Sequence, residues 1–114
     1  MTEMLERAKQ MVNTVEVPVF CDADTGYGNP VNVMRTVKEY ESAGVAGIHI
    51  EDQDFPKKCG HFDDKSVIPT AEMKQKFRAA VDAREDDDFV IIARTDARAV
   101  HGVEEALNRL YEYY

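Results

Sequence analysis

The residues able to do chemistry sit in short polar stretches, each following an apolar run. Asp22 and Asp24 stand two positions apart, and Glu51 and Asp52 follow the next apolar run. If the backbone is still extended at the first pair, that spacing turns both carboxylates to one side. Asp22, Asp24 and Glu51 then crowd like charges together, a repulsion that a hard divalent cation relieves. Oxygen ligands suit magnesium, with manganese as the alternative ion. The competing reading is an Asx-turn from Asp24 into Thr25-Gly26, which leaves Asp22 alone. Lys57-Lys58-Cys59-Gly60-His61 offers a different chemistry. A cysteine beside lysines and a histidine carries more thiolate than a free one. That suits proton transfer near neutrality, or a nucleophile paired with His61.

The elements that must position these groups are legible from periodicity. Met4, Leu5, Ala8, Met11 and Val12 share one face of a helix over 2–13. A strand over 17–21 runs into Asp22. Asn29 suits a helix N-cap and Pro30 the first helical position. The helix over 30–43 turns Val33, Met34, Val37 and Tyr40 inward, and Gly44 stops it. A second strand covers 45–50, and a long polar loop covers 51–69. Thr70 is expected to cap a helix with Met73, Phe77, Ala80 and Val81 on one face. A third strand covers 89–93, and a final helix from about 103 aligns Val103, Leu107, Leu110 and Tyr111. The order is α-(βα)₃, which implies parallel strands with crossover connections. Asp22 and Asp24, Glu51 and Asp52, and Arg94 and Asp96 then fall at the C-terminal strand edge, where parallel sheets bind ligands.

Composition narrows the function classes. The chain has 114 residues and a formal net charge of −8, against the basic surface that nucleic-acid binding needs. No apolar run is long enough to span a bilayer, and the first residues lack a signal-peptide layout. A cytoplasmic protein with neither membrane nor nucleic-acid partner is expected. Gly26-x-Gly28 lacks the third glycine of a dinucleotide fingerprint. Cys21 reads as a core residue, His49 as a core or supporting residue, and Glu85-Asp86-Asp87-Asp88 as a solvated loop. His101 reads as a helix-entry residue and the terminal tyrosines as packing surface.

Four motifs in order resemble the isocitrate lyase / phosphoenolpyruvate mutase superfamily, most of all its 2-methylisocitrate lyase branch. They are Asp22-Ala23-Asp24-Thr25-Gly26-Tyr27-Gly28-Asn29, Gly47-Ile48-His49-Ile50-Glu51-Asp52-Gln53, Lys57-Lys58-Cys59-Gly60-His61 and Ile92-Ala93-Arg94-Thr95-Asp96-Ala97. The resemblance implies one partial β/α-barrel domain over 1–114, about three βα units (strands three to five) of a TIM-type (β/α)8 barrel preceded by a helix. It implies that Asp22, Asp24 and Glu51 hold Mg2+ and that Cys59 is the acid/base on a mobile loop, flanked by Lys57 and His61. Arg94, with Cys59 and Gly60, would bind a small di- or tricarboxylate substrate. The implied reaction is carbon–carbon cleavage of 2-methylisocitrate to succinate and pyruvate. Isocitrate lyase, a phosphonate-type mutase and a non-catalytic half-barrel are the alternatives. The resemblance also implies a fragment of a larger barrel. Its open strand edges point to self-association and a homo-oligomer.

Overall fold

A computed structural model describes all of residues 1–114. The elements are α1 (Thr2–Val12), β1 (Phe20–Asp22), α2 (Pro30–Ser42), β2 (Gly47–Glu51), α3 (Thr70–Ala83), β3 (Val90–Arg94), α4 (Ala97–His101) and α5 (Val103–Tyr113). The three strands form one parallel sheet in the order β1-β2-β3. Each crossover carries a helix, as parallel neighbours require.

The sheet has two different faces. Cys21, Ile48 and Ile50 point to the helices and share a core with Leu5, Ala8, Val33, Val37, Tyr40, Met73, Phe77 and Ala80. Burying a side chain such as Ile48 or Met73 contributes roughly 1.5–3 kcal/mol. On the other face the register places residues in rows: Phe20, Gly47 and Val90, then Asp22, His49 and Ile92, then Glu51 and Arg94. A Cβ on Gly47 would come within 2.7 Å of the Phe20 ring, so only glycine fits between its two neighbours. The rows grow more polar toward the C-terminal edge. Phe20, Val90 and Ile92 remain 48%, 43% and 42% exposed, because nothing in the chain covers this face. The third strand is therefore only partly buried, through Ile91 and Ala93 on its helix-facing side, despite its unbroken apolar sequence.

The start of α2 follows its sequence signals. Asn29 accepts from the N–H groups of Val31 (3.0 Å) and Asn32 (3.3 Å), and Asn32 returns the bond to the Asn29 N–H (3.0 Å). Gly44, at φ 81°, ends the helix in the left-handed region. Several expectations need correction. The first strand begins at Phe20, not at residue 17, and Met34 and Val81 are exposed where they were expected to pack. Thr70 is the first helical residue of α3, not its cap; Pro69 holds the cap position and offers no side-chain bond. In α5 the aligned Val103, Leu107, Leu110 and Tyr111 face outward, and Ala106 and Arg109 are buried instead. Arg109 turns inward because a buried carboxylate awaits it. The short α4 escaped the periodicity analysis because five residues are too few to show a period.

By itself the 114-residue chain is expected to self-associate and to show no lyase activity. The outer strands keep one unpaired edge each, and Phe20, Val90 and Ile92 offer an apolar face beside them. Sedimentation velocity decides the matter: a single monomeric species would show that water tolerates both.

Candidate active site

The turn after β1 is built differently from an extended pair. Asp22 Oδ1 accepts the Asp24 N–H at 2.8 Å, so Asp22, not Asp24, closes the turn. Asp24 takes φ 51°, followed by Gly26 at φ 82° and Tyr27 at φ 60°. Asp24 accordingly reaches the strand edge through a left-handed turn, a conformation open to aspartate at modest cost. Gly26 is required there, since an added Cβ would stand 2.6 Å from Val33 Cγ2. Helices fasten this turn from behind. Thr36 Oγ1 donates to the Gly26 carbonyl (3.0 Å), and the buried Lys76 ammonium donates to the Thr25 carbonyl (3.1 Å). The Glu51 N–H donates to the Asp24 carbonyl at 2.8 Å, tying the turn to β2.

Glu51 lies at the centre and is fully buried. Burial pushes its carboxyl above the usual range, and the charges of Arg94 and Lys57 pull it back. Lys57 pairs with Asp24 Oδ1 and stands 3.5 Å from Glu51 Oε1. Arg94 Nη2 lies 3.2 Å from Glu51 Oε2 and 3.7 Å from Asp96 Oδ2, while its Nη1 lies 3.8 Å from Asp22 Oδ2. Glu51 Oε2 still has no hydrogen bond, because the Arg94 contact is one of charge without alignment. His49 Nδ1, in the same row as Asp22, sits 3.8 Å from Asp22 Oδ1, also without a hydrogen bond. Asp22, Asp24, Glu51 and Arg94 are thus brought to one edge, with Lys57 inserted between two of the acids. No three His, Cys, Asp or Glu side chains close up enough to grip an ion in this arrangement, in which the two cations hold the acids.

Asp52 behaves unlike its neighbour. Its carboxylate is fully buried on the side of α5 and accepts from Thr95 Oγ1 (2.7 Å), the Asp96 N–H (2.9 Å), Arg109 Nη1 (3.3 Å) and Tyr113 OH (2.8 Å). Adjacent strand residues point to opposite faces, so Glu51 enters the site and Asp52 braces it.

The loop with Cys59 begins beside Gln53, which pairs with Val67 in an isolated antiparallel bridge. Cys59 and His61 are both exposed. The flanking ammonium groups are committed elsewhere: Lys57 to the acids and Lys58 to the Asp64 carbonyl at 2.8 Å. Neither ammonium group is paired with the thiol, which the sequence had flanked with both. Gly60 does reach the site, since a Cβ there would lie 3.8 Å from Arg94 Nη2. An adjoining cleft of about 690 Å³ is lined by Asp24, Tyr27, Asn29, Gln53, Phe55 and Lys57, among others. That is room for a small carboxylic acid. Lys65, Thr36 and Lys76 shape the site and were missed in the sequence, and Gln53 stood in a motif there without a role. Lys76 gave a further signal, a charge on the buried face of a helix.

A family model described as phosphoenolpyruvate phosphomutase matches residues 1–114. The chain belongs to the phosphoenolpyruvate mutase / isocitrate lyase superfamily. It is 57% identical over 113 residues to the 2,3-dimethylmalate lyase of Eubacterium barkeri, covering 99% of this chain and 39% of that protein. It is 49% identical over 113 residues to a probable 2-methylisocitrate lyase of Corynebacterium glutamicum, covering 99% and 37%. A crystal structure of 2,3-dimethylmalate lyase superposes with a TM-score of 0.93 at 43% identity, over 98% of this chain and 38% of that one. Phosphonopyruvate hydrolase, solved with oxalate and Mg++, superposes with a TM-score of 0.88 at 38% identity, over 99% and 38%. The superfamily match makes the three βα units a partial TIM-type barrel. The chain spans about 39% of the length of the lyase it matches. No helix is long and apolar enough to cross a membrane.

Proposed function

We propose that this chain is the metal-binding and proton-transfer segment of a carbon–carbon lyase that cleaves 2-methylisocitrate to succinate and pyruvate. The observation that carries the reading is the meeting of Asp22, Asp24, Glu51 and Arg94 at one strand edge, beneath a loop bearing an exposed thiol. The acids suit a hard cation: all donors are oxygen, and buried Glu51 Oε2 lacks a hydrogen bond. Asp22, Asp24 and Glu51 would hold Mg2+, with Mn2+ as a substitute. The bound ion would supply positive charge to the oxygens of the 2-oxo acid product as it forms.

The residues of the chain account for the remaining roles. Arg94 offers a guanidinium to a substrate carboxylate, in exchange for part of its contact with the acids. The His61 imidazole, as general base, takes the proton of the 2-hydroxyl as the C2–C3 bond breaks, leaving pyruvate and an electron pair on C3. Cys59 donates its proton to C3, and succinate is released. His61, on the same loop, then returns its proton to the Cys59 thiolate, while Lys57 stays paired with the acids until a cation displaces it.

The higher identity to a dimethylmalate lyase supports 2,3-dimethylmalate as a second substrate reading. The two acids share the 2-methyl-2-hydroxy acid end and differ at C3, which carries a carboxymethyl group in one and a methyl in the other. The full-length protein, assayed with Mg2+ and each acid, should release pyruvate and succinate in equal amounts from 2-methylisocitrate. Propionate from dimethylmalate alone would move the substrate to the second reading. Absence of pyruvate from both would reject the lyase assignment.

A further inference from the structure

The Cys59 loop is not held by a backbone ladder. Its neck is closed by the Asp54 N–H on the Ser66 carbonyl and the Ile68 N–H on the Asp52 carbonyl, both 2.9 Å. Beyond the neck, side chains do the holding. Gln53 grips the Lys58 backbone at two points: its Nε2 donates to the Lys58 carbonyl and its Oε1 accepts the Lys58 N–H, each at 2.9 Å. Lys65 Nζ donates to the Gly60 carbonyl at 2.9 Å. Cys59 is the residue between those two anchor points.

Both anchors reach Asp96, the one carboxylate they share, although Gln53 Nε2 also stands 3.2 Å from Glu51 Oε1. Gln53 Nε2 reaches Asp96 Oδ2 at 3.2 Å, and Lys65 Nζ reaches Asp96 Oδ1 at 3.1 Å. The Lys65 and Asp96 side chains are only 6% and 10% exposed, so water competes little for this pair. Asp96 is itself immobilised, because its N–H donates to Asp52, which Arg109 and Tyr113 hold against α5. We propose that Asp96 is a positioning residue for the Cys59 loop, acting through Gln53 on one side of the thiol and through Lys65 on the other. This deepens the lyase reading and rests on Cys59 being its proton donor. A fixed donor matters because proton transfer needs hydrogen-bond reach to the reacting atom.

Amide hydrogen exchange over residues 54–66 in the full-length protein tests the proposal, with Lys65→Met, Lys65→Arg, Asp96→Asn and the Lys65→Met/Asp96→Asn pair. Exchange in the loop should quicken about tenfold in Lys65→Met and at least as much in Asp96→Asn, while β2 and α2 keep their protection. Lys65→Arg should restore most of it. The double variant should exchange no faster than Asp96→Asn, because Lys65 acts through that carboxylate. kcat should fall alongside, with magnesium affinity held, since Lys65 touches none of Asp22, Asp24 or Glu51. Loop exchange within about twofold of the parent in a folded Lys65→Met protein would overturn the proposal. So would full additivity in the double variant. Should Asp96→Asn fail to fold, the Lys65 pair of variants decides. If instead the loop loosens as expected but Cys59→Ser retains turnover, the positioning role stands and the proton-donor reading falls.

Discussion

Cys59→Ser in the full-length protein is expected to lower kcat by about 10²-fold or more, with KM little changed. Serine has nearly the same shape, and Cys59 is exposed, so the substitution leaves packing intact. What changes is acidity: a hydroxyl releases its proton far less readily than a thiol near neutrality. A mixture of Cys59→Ser enzyme and substrate should therefore still form the complex and stall at protonation of C3. Steady-state kinetics with 2-methylisocitrate measure both constants. A fall of less than about tenfold, on the order of 1.4 kcal/mol in the barrier, would make Cys59 a structural loop residue.

The second large effect is on the metal. Asp22→Ala and Glu51→Gln are each expected to weaken magnesium or manganese binding by more than about 100-fold, because even residues that merely support ligands cost about 10–100-fold. Lys57→Met should act in the opposite direction. Its ammonium pairs with Asp24 and Glu51, so an incoming ion must displace it, and removing it frees both carboxylates. Titration calorimetry reads all three. If Asp22→Ala binds as tightly as the parent, the ligand set is misassigned; if Lys57→Met binds more weakly, the lysine is not a competitor for the site.

Much of the frame was legible because it depends on local rules. Asn29-Pro30 and Gly44 bounded α2 by cap chemistry that is complete within a few residues. Alternation of apolar strands and amphipathic helices implied a parallel sheet, and its C-terminal edge followed from chain direction alone. The apolar stripe of α5 misled for a related reason: periodicity finds a face but does not say which neighbour covers it. In this chain Arg109 reaches a buried carboxylate, and Leu107 and Leu110 are left outside.

The amino-acid sequence by itself determined the α-(βα)₃ order, the superfamily motifs and the gathering of Asp22, Asp24, Glu51 and Arg94 at one edge. Chain direction and strand ends suffice for that. Only the tertiary structure decided what each charge does there. Asp22 closes a turn that lifts Asp24 into a left-handed conformation. Glu51 faces the site and Asp52 faces α5, although they are adjacent acids. Lys57 pairs with the acids Asp24 and Glu51, and Lys65 joins Gly60 to Asp96. Several of these pairings, such as Asp52 with Tyr113 and Lys65 with Asp96, join residues far apart in the chain. Burial makes them strong, since a desolvated charge must find its partner wherever the fold has put it.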